Sequence, residues 1–187
     1  EFFGPQVGEE LKKAGLLAII FSLGGIMVYI WMRFEWQFGV AAIIALAHDA
    51  IATIGLFAIL QMDFDLSTVA ALLMIAGYSI NDTVVVFDRI RETLRKYKKT
   101  ALPEVFNMAI NSTLSRTVMT SVTTLIALIA LYLFGGEVIR GFVDALIYGV
   151  LIGTYSSVFV ASPVLMFFNV RADADKDDES VEAVGKA

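Results

Sequence analysis

Apolar side chains dominate residues 14–32, 36–60, 66–87, 105–134 and 145–170, and only short polar or charged breaks separate these runs. A helix that is hydrophobic on every side is surrounded by lipid or protein, and about 20 helical residues cross roughly 30 Å of bilayer hydrocarbon. The pattern predicts an all-α integral membrane bundle of five transmembrane helices. Trp31 and Trp36 stand at ends of runs, where interfacial aromatics belong. No self-similarity recurs at a period of roughly 20 to 50 residues, and no Gly/Ser-rich or Pro-rich linker divides the chain. One domain over residues 14–170 is expected, preceded by a segment 1–13.

Composition agrees with the pattern. Of 187 residues, 58% are hydrophobic and 18% charged, whereas soluble domains carry about 25% charged and 45–50% apolar residues. The formal charge of -5 misleads, because residues 171–187 hold six acids and three cations, so the other 170 residues carry only -2. That acidic tail is expected to be solvated and disordered. There is no cysteine and one histidine, which excludes disulfides and thiolate sites and argues against a His-built metal centre. No phosphate-binding Gly loop followed by Lys and no Ser/His/Asp arrangement occurs. Neither enzymatic activity, a cofactor, a metal nor nucleic-acid binding is expected.

Cations set the expected orientation. The stretch 88–104, read as a basic loop, holds Arg89, Arg91, Arg95, Lys96, Lys98 and Lys99, and it shares a side with Arg33 and Arg171 if all five runs cross. Lys12, Lys13 and Arg140 fall on the other side. By the positive-inside rule the basic side is cytoplasmic, so the chain starts outside and its tail lies inside. Within the loop, Ile90, Leu94 and Tyr97 are spaced by four and three, an amphipathic pattern suited either to the membrane surface or to a solvated connection.

Ionisable groups inside the runs carry the functional signal, since an apolar residue would insert at lower cost. An ionised Asp82 costs about 2.5 to 3.5 kcal/mol on insertion scales. Arg116 enters from the same cytoplasmic loop to a similar depth, so an Asp82–Arg116 contact between antiparallel neighbours is expected, each charge lowering the other's cost. Ser112, Arg116 and Thr120 recur every four residues, with Thr113, Thr117, Ser121 and Thr124 on the adjoining stripe. That polar face fits either close helix packing or a hydrated groove for protons or ions. His48 and Asp49 fit a relay or a structural hydrogen bond from Asp49 to Thr53. Gly149 with Gly153, and Gly135 with Gly136, fit close packing and a turn.

"RFEWQ" (33–37), "ALAHDAIATIGLFAI" (45–59), "GYSINDTVVVFDRIRE" (77–92), "SRTVMTS" (115–121) and "LYLFGG" (131–136) resemble, in order, the SecF family of protein-export membrane proteins. The resemblance implies half of a resistance-nodulation-division-type transmembrane domain in a bacterial cytoplasmic membrane. It also implies work with SecD beside the SecYEG channel, with YajC as a further partner, using the proton-motive force to help exported chains leave. The family's essential carboxylate and arginine fall on Asp82 and Arg116, and Asn81 takes the place where the related SecD motif has its own carboxylate. SecF proteins have a first helix and an outer domain ahead of these five spans, and that domain handles the exported polypeptide. A chain opening on "EFFGPQ" without an initiator Met is therefore expected to be a fragment. Two other readings compete: a non-conducting scaffold that assembles the channel, and a proton-coupled small-molecule exporter of the same superfamily.

Overall fold

The computed structural model describes residues 5–62, 65–168 and 170. The expected disordered tail, residues 171–187, lies outside the described residues, as do residues 1–4, 63, 64 and 169. Five long helices carry the fold: α1 (Pro5–Arg33), α2 (Trp36–Leu60), α3 (Leu66–Lys96), α4 (Leu102–Phe134) and α5 (Arg140–Ser156). A π-helical turn, Ser157–Ala161, and a short α6, Ser162–Met166, continue α5. Five segments are long and apolar enough to cross a membrane, the last running from Glu137 to Met166. No strand occurs among the described residues, so the all-α five-helix class read from the runs is the observed one.

Local chemistry explains several boundaries. Asp65 opens α3 with a capping box, its carboxylate accepting from the Thr68 backbone N–H at 2.9 Å. The Ser67 hydroxyl, donating at 2.6 Å, and that Thr68 N–H hold the Asp65 carboxyl below its usual value. Gly136, at φ 78°, turns the chain after α4, a conformation that costs glycine little. The stretch read as a basic loop over 88–104 is instead helical to Lys96. Ile90 and Leu94 are almost fully buried in one cluster with Val105, Phe106 and Ala109 of α4, so the apolar face draws the helix onward past the charges.

Helices α3 and α5 form the centre, flanked by α4 on one side and α2 on the other. They approach closely because Gly149 and Gly153 of α5 lie against Ile75 and Ser79 of α3. A Cβ on Gly153 would stand 3.1 Å from the Ser79 Cβ, and one on Gly149 would overlap Ile75. Two apolar clusters bracket the bundle lengthwise. One gathers Phe34, Phe38, Phe87, Ile90, Phe106 and Leu165 at the end where α1 meets α2. The other gathers Phe57, Ile75, Leu128, Leu146 and Val150 towards the opposite end. Between them lies a layer of buried polar side chains.

Candidate functional site

Asp82 is residue 17 of the 31 in α3, midway along the helix, and 7% exposed. Its Oδ1 accepts from the Thr117 hydroxyl of α4 at 2.6 Å, and its Oδ2 from the Ser157 hydroxyl at 2.5 Å. Hydrogen bonds to an ionised acceptor are short and roughly twice as strong as neutral ones. Thr117 is 1% exposed and Ser157 fully buried, so three helices close around the carboxylate. Ser157 is the first residue of the π turn. Pro163 lacks an N–H for the carbonyl four residues back, and the Ser162 hydroxyl bonds the Ser157 carbonyl at 3.2 Å, five residues back. The widened turn thus sits beside the carboxylate, a place where such turns are frequent.

Further hydroxyls cluster around this centre. Ser121 of α4 and Thr154 of α5 stand 2.6 Å apart, and the Tyr78 hydroxyl donates to Ser121 at 3.1 Å. Ser121 in turn donates to the Thr117 carbonyl at 2.8 Å. A second carboxylate occupies the same layer. Asp49 of α2 is 1% exposed; its Oδ2 accepts from Ser79 of α3 at 2.5 Å, and its Oδ1 lies 3.1 Å from Nδ1 of the half-buried His48. Ser79 precedes Asp82 by one turn of α3, so the two carboxylates flank one helix segment.

The expected contact of Asp82 with Arg116 is not formed. Arg116 is exposed on α4 and makes no ion pair among the described residues. The reason is angular: neighbours on an α-helix point about 100° apart, and the inward place belongs to Thr117. Hydroxyls, not a guanidinium, meet the burial cost of Asp82. Asn81 and Thr120 are likewise exposed, Thr120 donating to the Thr117 carbonyl at 2.9 Å. The expected Asp49–Thr53 bond exists only to the backbone: Thr53 donates to the Asp49 carbonyl at 2.8 Å, while the carboxylate has other partners. Thr117 lay on the stripe adjoining Arg116 in the sequence. Ser157 was missed, since it belongs to an uncharged run where nothing signals an insertion cost; the tandem serines 156–157, one and two turns after Gly153 and Gly149, are the signal that could have found it.

Two quoted motifs meet at the end of the bundle where α1 and α2 join. Arg33 donates to both carboxylate oxygens of Asp88 at 2.8 and 2.9 Å, and Glu35 pairs with Arg91 at 3.0 Å. "RFE" and "DRIR" are therefore two halves of one crossed ion-pair cluster.

Residues 1–171 match the family model for the C-terminal part of the protein export membrane proteins SecD and SecF. The chain belongs to the SecD/SecF family. It is 56% identical over 178 residues to a protein translocase subunit SecF of Cereibacter sphaeroides, covering 95% of this chain and 55% of that one. A Rickettsia bellii SecF is 55% identical over 168 residues, covering 90% of this chain and 55% of that one. The chain thus spans about half the length of the curated relatives it matches. Its fold matches the crystal structure of SecDF, a translocon-associated membrane protein from Thermus, with TM-score 0.83 and 47% identity over 87% of this chain and 23% of that one. SecDF in its Super-membrane-facing form gives TM-score 0.79 at 44% identity over 96% of this chain and 23% of that one. The SecF resemblance read from the motifs is borne out. As a SecD/SecF family member with five apolar helices, the chain is a multi-pass membrane protein.

Proposed function

We propose that this chain is the membrane-embedded part of a SecF-type subunit of the bacterial protein-export machinery, coupling the proton-motive force to translocation across the cytoplasmic membrane. Residues 1–13 face outward, five spans follow, and the basic end and the tail are cytoplasmic. Asp82 binds and releases the proton; the clustered hydroxyls of Thr117, Ser121, Thr154 and Ser157 carry it onward, with water bridging them. The supporting observation is a mid-helix carboxylate sealed by hydroxyls from two other helices. Such groups exchange partners when small helix movements change the balance between charge, desolvation and hydrogen bonding. One charge crossing 100 mV supplies about 2.3 kcal/mol.

Arg116 and Asn81 act from the exposed face, where the SecD half supplies a facing carboxylate and covers both. SecYEG and YajC complete the assembly, and the exported polypeptide is handled by an outer domain beyond this chain. The His48–Asp49–Ser79 cluster supports the neighbouring helix pair and offers a second protonatable position in the layer. Asp82→Asn in the full-length protein is expected to abolish potential-driven export while leaving membrane insertion and assembly with SecD intact; normal export would overturn the reading. A scaffold reading draws on one observation, that both oxygens of Asp82 accept hydrogen bonds without Arg116. Proton flux through vesicles holding the complex, lost in Asp82→Asn, separates the two, because a scaffold conducts nothing.

A further inference from the structure

Helices α3 and α4, 31 and 33 residues long, measure roughly 46 and 50 Å at 1.5 Å per residue, well beyond about 30 Å of hydrocarbon. Their joined ends therefore reach the level of the lipid headgroups, and a cleft of about 130 Å³ opens between them there, walled by Arg89, Thr93 and Lys96 of α3 and by Met108 and Ser112 of α4. Arg89 is fixed in place: its Nε donates to Ser112 at 2.8 Å and one terminal nitrogen donates to Glu92 at 2.5 Å. A guanidinium has five N–H groups, so three remain to point at a ligand. Lys96 Nζ stands 5.5 Å from the Tyr97 ring centroid, beside the same cleft. Two cations against the single carboxylate of Glu92 leave the site net positive.

From Ser112 the same side of α4 passes the exposed Ser115 and Arg116 and then continues into the membrane as Met119, Val122, Ile126 and Ile129, at spacings of three and four and all exposed. A cationic cleft at headgroup depth, with an apolar stripe running inward beyond Arg116, has the two halves of an amphiphile's outline. We infer that the α3–α4 cleft binds the phosphate of an anionic phospholipid, with Arg89 and Lys96 holding the headgroup and one acyl chain lying along the α4 stripe. Basic pockets between transmembrane helices recognise anionic headgroups in this way. The inference does not rest on proton coupling, and its test reads lipid, not flux.

The full-length protein, extracted in mild detergent from membranes containing phosphatidylglycerol and phosphatidylethanolamine, is analysed by native mass spectrometry for retained lipid. Wild type is expected to keep phosphatidylglycerol in preference to phosphatidylethanolamine. Lys96→Gln is expected to lower retention about fivefold, and Arg89→Gln with Lys96→Gln about 25-fold, at roughly a fivefold loss per cation. Lys99→Gln, outside the cleft, serves as the control with the same charge change and is expected to leave retention unaltered. Because Arg89 also braces Ser112 and Glu92, the comparison of Lys96→Gln with wild type decides the matter if the double variant unfolds. Equal losses from Lys99→Gln and Lys96→Gln would overturn the cleft in favour of a diffuse basic surface. Displacement of the lipid by millimolar inorganic phosphate would overturn the lipid assignment in favour of a free-anion site.

Discussion

At the scale of single residues, the decisive atoms are the two oxygens of Asp82 and the two hydroxyls that reach them. A hydrogen bond to a charged group contributes about 1.5 to 3 kcal/mol, and a buried acceptor left unsatisfied adds its desolvation penalty. Ser157→Ala is therefore expected to lower stability by about 2 kcal/mol. In the background of Asp82→Asn most of that loss should disappear. A double-mutant cycle from unfolding in detergent checks this, and additivity of the two changes would show that Ser157 does not act through the carboxylate. The same residues mark what a sequence can and cannot reveal. Asp82 was legible because a charge in an oily run has a cost that something must offset. Its partners were not, since spacing gives depth along a helix but not azimuth across a bundle. Arg116 has the right depth and the wrong direction, while Thr117, one residue on, has both.

Among the elements, the pairing of α3 with α5 sets the position of the site. Gly149 and Gly153 allow the two backbones to close on Ile75 and Ser79, and one turn further on the same approach delivers Ser157 to Asp82. Gly149→Ala is expected to push the helices apart and destabilise the bundle by about 1 to 3 kcal/mol, the usual cost of overpacking. Shortening the neighbour, as Ile75→Ala, should recover part of that loss when combined with Gly149→Ala, and thermal unfolding of the four variants measures it. Failure of the pair to recover would mean that Ile75 is not the obstacle. The existence and number of the helices followed from run length alone. Two features did not: the extension of α3 to Lys96, which depends on Ile90 and Leu94 finding Val105 and Phe106, and the π turn, for which Pro163 was the single local hint.

For the whole molecule, the balance between inside and outside says the most. Inward, the polar layer lies between two apolar clusters, and at one end the Arg33–Asp88 and Glu35–Arg91 pairs tie the α1–α2 turn to α3. Outward, Asn81 of α3 and Arg116, Thr120 and Thr123 of α4 are exposed at the depth of that same layer, with Thr124 half-buried beside them. Hydroxyls can bond back to their own helix, as Thr123 and Thr124 do to the Met119 and Thr120 carbonyls at 2.9 and 2.8 Å. Asn81 and Arg116 make no such bond among the described residues, and lipid offers them nothing, at several kcal/mol for each unsatisfied group. A second transmembrane half seated on this face relieves that cost, and the SecDF structures give its proposed identity. The chain contains no cysteine, so once any cysteine outside it is replaced, a single Asn81→Cys carries an unambiguous spin label. In the full-length protein without SecD the label is expected to be accessible to oxygen dissolved in the bilayer. With SecD present, that accessibility should fall several-fold, while a label at the exposed Ile51 of α2 keeps its value. An unchanged Asn81 signal would mean that the polar face is met by lipid or water and that the partner sits elsewhere.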